Sequence, residues 1–81
     1  MTDAAIAVRI VNALEAAADR EGGAKTALVS LTIEMLARAD AGAIEISLTR
    51  KTRTLIFLRA EFKTESGTLI ASASSLHKLS G

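Results

Sequence analysis

The chain has 81 residues and a formal net charge of +1, from 10 Lys plus Arg and 9 Asp plus Glu. That length bounds it to one small domain, residues 1–81, and that balance gives no global electrostatic pull toward nucleic acid. Apolar residues make up 49% but aromatics only 2%, namely Phe57 and Phe62, so a globular core must be assembled from Ala, Leu, Ile and Val. With no Tyr or Trp, the stacking platforms of single-strand binders are lacking. Cys is absent and there is one His, which excludes disulfides and thiolate metal sites and argues against zinc. No metal and no cofactor is expected. Nothing resembles a signal peptide or a run of the ~20 apolar residues that a membrane span needs. The expectation is a cytoplasmic protein that engages neither membrane nor nucleic acid.

Residues 3–20 read as a helix. Ile6, Ile10, Ala13, Leu14 and Ala17 recur at helical spacing and make one apolar stripe. Asp3 is an expected N-cap, Arg20 suits the negative end of the helix dipole, and Gly22-Gly23 supplies a left-handed residue to end it. Residues 26–36 alternate as a strand, with Val29, Leu31, Ile33 and Met35 against Ser30, Thr32 and Glu34. Residues 38–42 read as a turn. Residues 43–49 alternate again, Ile44, Ile46 and Leu48 against Glu45, Ser47 and Thr49. In residues 53–63 the face formed by Thr54, Ile56, Leu58, Ala60 and Phe62 opposes Leu55, Phe57, Arg59, Glu61 and Lys63. Residues 68–78 form the last strand, and Gly67 is a turn residue with positive φ.

The connections are short and the chain has no Pro, so consecutive strands are expected to form antiparallel hairpins. The predicted fold class is α+β, one N-terminal helix packed on a four-stranded antiparallel meander. The small Ala and Ser residues of the last strand would let a helix approach closely. One helix covers one face, so Leu28, Leu36, Leu55, Phe57, Ile70 and Leu76 on the other face suggest a partner subunit.

The order of these elements resembles the hotdog-fold acyl-CoA thioesterases, of the type found in the phenylacetic-acid pathway. The resemblance covers roughly residues 5–79. Four places carry it: the Ala-rich helix ending near Gly22-Gly23, the strand Leu31 to Leu36, the basic hairpin Arg50-Lys51-Thr52-Arg53-Thr54, and Ser66-Gly67-Thr68-Leu69-Ile70-Ala71. Where family members often show a Leu-x-Pro-Ala corner, this chain has Leu36-Ala37-Arg38-Ala39. The family usually also has a strand and a His-Gly-Gly-like loop before the helix, whose backbone N–H polarises the thioester carbonyl. This chain opens on the helix instead.

The resemblance implies hydrolysis or binding of an acyl-CoA, or a similar small molecule, at a subunit interface of a homodimer or homotetramer. The family's carboxylate base projects from mid-helix, which here falls near Asn12, with Glu15 the nearest carboxylate one turn on. Glu15 is thus the candidate base and Asn12 a candidate to orient water or bind the carbonyl; as ordinary residues, they would be a solvated carboxylate and a polar helix contact. Arg50, Lys51 and Arg53 are candidates to hold coenzyme A phosphates, and otherwise a charged hairpin end that blocks edge pairing. Arg59 and Glu61 are expected in cross-strand pairs, and His77 at the surface near the end of the last strand. The alternative function is a non-catalytic oligomeric binding or interaction module with a shortened hotdog-like fold.

Overall fold

A computed structural model describes residues 1–79. Helix α1 runs from Asp3 to Gly22 and is followed by strands β1 (Thr26–Met35), β2 (Ala43–Lys51), β3 (Leu55–Lys63) and β4 (Leu69–Leu79). The N-cap is Thr2, not Asp3: the Thr2 Oγ1 accepts from the Ala5 N–H at 3.1 Å, and Asp3 sits in the first turn, where its charge complements the helix dipole. Gly23 ends the helix at φ 71.

The four strands form one antiparallel sheet in the order β1-β4-β3-β2. This corrects the expected meander. Hairpins join β2 to β3 and β3 to β4, but β1 pairs with β4, so residues 36–42 cross the end of the sheet instead of making a tight turn. The crossing is anchored by Leu36 and Ala37, whose N–H groups both donate to the Ile70 carbonyl at 2.8 and 3.1 Å. Neighbouring strands lie about 4.8 Å apart, and seven residues easily span the two strands between.

The core lies between α1 and one sheet face. Ile6, Ile10, Leu14, Ala17 and Ala18 of the helix meet Ile56, Leu58, Ala60 and Phe62 of β3 and Ala71 and Ala73 of β4. Phe62 is the largest fully buried side chain, and the Ala residues of β4 leave room for the helix to lie close.

Three bulges reset the strand alternation. In β1 the register shifts between Leu28 and Ser30, so Leu28 pairs with His77 on the helix side while Val29 is 56% exposed, the reverse of simple alternation. In β2 it shifts between Leu48 and Arg50. In β4 it shifts near Ile70, which is buried and not part of the open face.

Candidate functional site

Helix α1 presents the first candidates. Asn12 and Glu15 are three residues apart, hence neighbours on one helix surface, and both are exposed. Neither side chain makes a hydrogen bond among the described residues. One turn beyond, Asp19 is firmly engaged: its Oδ1 accepts from the Thr26 N–H at 2.8 Å and the Thr26 Oγ1 at 2.9 Å, fixing the start of β1 to the end of the helix. The backbone N–H of Thr26 and then its hydroxyl hold the Asp19 carboxyl below its usual value.

Below this part of the helix lies His77, the residue that sequence reasoning misplaced. It is wholly buried, because β4 extends through Leu79 and the helix covers its final turns of pleat. Its Nε2 is 2.8 Å from the Ser75 Oγ, and its Nδ1 has no partner among the described residues. Burial pushes the imidazole pKa down, while the charges of Glu15 and then Asp19 push it up less strongly. The ring is therefore neutral at pH 7 and bonded to a serine from the same strand. A signal was available: Ser75 and His77 share parity with Ala71 and Ala73, the small residues expected to admit a helix.

The basic hairpin is divided by the β2 bulge. Without it, Arg50 would share the face of Leu48. With it, Arg50 pairs with Phe57 on the outer face, and Lys51 pairs with Ile56 on the helix side. The Lys51 Nζ donates to the Glu21 carbonyl at 2.6 Å, neutralising one of the free acceptors at the helix C-terminus. Arg53 stands exposed in the turn, where the Thr52 Oγ1 accepts from the Thr54 and Leu55 N–H groups. So Lys51 is brought toward the end of α1, Arg50 is turned away from it, and the three cations do not form one clamp. Arg59 makes no ion pair among the described residues; Glu61 pairs instead with Lys63 on its own strand at 3.6 Å.

Two shallow depressions open at the other end of the molecule. One is lined by Ala41, Gly42, Ala43, Lys63, Thr64 and Glu65 and the other by Asp3 and residues 35–38. Neither includes Asn12 or Glu15. No group of three metal-binding side chains occurs among the described residues, and no helix is long and apolar enough to cross a membrane.

No family model matches the chain, and no curated protein matches it. Among solved structures, it is similar to the X-ray structure of a protein from the thioesterase superfamily that was a structural-genomics target, with a TM-score of 0.69 and 16% identity. The superposition covers 82% of this chain and 52% of that one, so this chain spans about half the length of that structure. The class defined is therefore a fold: hotdog-like, one helix packed on a four-stranded antiparallel sheet.

Proposed function

We propose that this chain is a hotdog-like domain that binds acyl-CoA thioesters and hydrolyses them at an interface between subunits. The observation that carries this reading is the position of Glu15: a carboxylate halfway along the single helix of a thioesterase-like fold, exposed on the side that the sheet leaves open. In the proposed reaction a water placed beside Glu15 gives up a proton to the carboxylate as its oxygen bonds to the thioester carbon. Asn12, on the same helix surface, donates its amide N–H to the carbonyl oxygen as negative charge gathers there. The tetrahedral adduct then expels the thiolate, which takes the proton back from Glu15 and leaves as free coenzyme A. Arg53 stands exposed at the hairpin end, where it would meet phosphates. A homodimer or homotetramer would enclose the site, which is open in one copy.

One observation favours a second reading, a binding module without turnover. Neither Glu15 nor Asn12 is oriented by a hydrogen bond among the described residues, whereas a general base is normally held in place. Release of free thiol from a panel of acyl-CoA substrates separates the two. Hydrolysis predicts turnover that falls by about 10²-fold or more in Glu15→Gln. Acyl-CoA binding with no turnover across the panel would establish the binding module, measurable turnover would rule it out, and failure to bind coenzyme A at millimolar concentration would sink the acyl-CoA reading.

A further inference from the structure

The outer face of the sheet, opposite α1, carries a patch that the thioester reading does not use. Pairing register sets Phe57 between Leu76 of β4 and Arg50 of β2. Arg59 follows on the same face of β3, and Lys78 lies beside Leu55. Same-face residues are about 7 Å apart along a strand, and strands about 4.8 Å apart, so all three cations are rooted within about 9 Å of the ring. Arg50, Arg59 and Lys78 are exposed, and none of their side chains has an ion pair or hydrogen bond among the described residues. Phe57 and Leu76 are half-buried. The sign of the surface then reverses: the next row holds Glu34, Glu61 and Glu45, with only Lys63 to balance them.

An aromatic face ringed by unpaired guanidinium and ammonium groups suits a flat ring that carries phosphate: the base stacks on Phe57, and the cations take the phosphate oxygens. The acidic row limits the length of such a ligand. A strand of nucleic acid extending along the sheet would carry its next phosphates over Glu61 and Glu45, whereas a single nucleotide ends before them. We infer that the Phe57 patch, with Arg50, Arg59 and Lys78, binds one free nucleoside phosphate on the outer sheet face. The bulge in β2 makes the site, because it delivers Arg50 to this face. The site does not rest on the thioester reading, since Glu15 lies on the far side of the sheet.

The test is an amide NMR titration of the full chain with ADP, repeated on Arg59→Ala, Phe57→Leu and the distant exposed cation Arg38→Ala. The expected result is saturable shifts at Phe57, Leu76, Arg59, Lys78 and Arg50. Affinity is expected to fall by about tenfold in Arg59→Ala and Phe57→Leu and to stay unchanged in Arg38→Ala. Absence of shifts at millimolar ADP would overturn the site, as would equal loss in the Arg38 variant. Pyrophosphate binding as tightly as ADP would remove the role of the base and overturn the nucleotide. A short single-stranded DNA that shifts the same amides at lower concentration than ADP would replace the occupant with nucleic acid. Shifts of these amides with protein concentration alone would replace it with a second copy of the chain. Spectra also confirm that each variant is folded before its titration is read. Absent thiol release with the ADP shifts intact would refute hydrolysis alone; the converse would refute this site alone.

Discussion

His77 and Ser75 face the same side of β4, two residues apart, and the imidazole Nε2 lies 2.8 Å from the serine Oγ beneath the second half of α1. The other ring nitrogen is buried with no partner among the described residues, so this contact is stable only with the ring uncharged. Leu28 and Ile56 flank the ring from β1 and β3. The charged groups around it are Glu15 and Asp19 on α1, with Lys51 of β2 beside Ile56. Their two carboxylates relieve the cost of protonation without cancelling it.

The sign of the pH dependence follows. His77 in the folded chain has a pKa below its ordinary 6.5, so the unfolded chain takes up its proton first as pH falls. The contribution is fully present above 6.5 and is lost from there downward until the folded ring also protonates, with a slope of at most about 1.4 kcal/mol per pH unit. Urea midpoints are expected to fall between neutral and mildly acidic pH in the wild type. In His77→Gln, which keeps a hydrogen-bonding group for Ser75, this part of the fall should vanish. Parallel profiles for the two proteins would show that His77 is not its source.

Asp19 acts in a lower window. Its folded pKa is held below 3.8 by the two bonds from Thr26, so its contribution is present above 3.8 and disappears as pH falls through the folded value. Asp19→Ala should lower the urea midpoint at neutral pH and raise hydrogen exchange at Thr26, whose N–H loses its acceptor. Thr26→Val removes only the hydroxyl bond and should do less. An unchanged midpoint in Asp19→Ala would mean that the clasp between helix end and β1 contributes nothing.

Core truncation gives a graded series. Phe62 and Ile10 are both 0% exposed. Phe62→Ala should cost about 3–5 kcal/mol and Ile10→Val about 1 kcal/mol. For a domain whose whole stability is on the order of 4–12 kcal/mol, the first loss is severe. The Arg9 guanidinium lies 5.1 Å from the Phe62 ring centroid, and its removal in Arg9→Ala should cost about 0.5–1 kcal/mol. Chemical denaturation orders the three. A mild effect of Phe62→Ala would contradict the packing described.

Gly42 is closely packed against β3. A Cβ there would sit 2.6 Å from the Lys63 carbonyl oxygen and 2.7 Å from the Phe62 ring. A backbone atom cannot yield without distorting β3, so Gly42→Ala should lower the melting temperature sharply. At Gly22 the close atoms are the ends of the Leu79 and Thr26 side chains, at 2.6 and 3.0 Å, which can rotate away. Gly22→Ala should therefore be the milder change; the reverse order in thermal melts would refute this account of the crossing segment.

Several of these features were legible in the residues alone. The helical stripe of Ile6, Ile10, Leu14 and Ala17 and the alternation of Ile56, Leu58, Ala60 and Phe62 each specify an element and its buried face. They can do so because helix and strand periods are local properties of the chain. Glu15 and Asn12 were singled out by the family resemblance and not by periodicity, and the helix leaves both exposed. Strand order could not be read this way: β1 joins β4 and not β2, and that choice is made by contacts across some forty residues. The bulges were equally hidden, since one extra residue leaves no compositional mark yet reverses every later side chain. It sends Val29 outward, turns Arg50 to Phe57, and carries Lys51 to the Glu21 carbonyl. Local periodicity thus determined the elements and their buried faces. Tertiary packing alone decided which charges stand together and that the one histidine is sealed beneath the helix, because pairing register and burial are set by residues far apart in the chain.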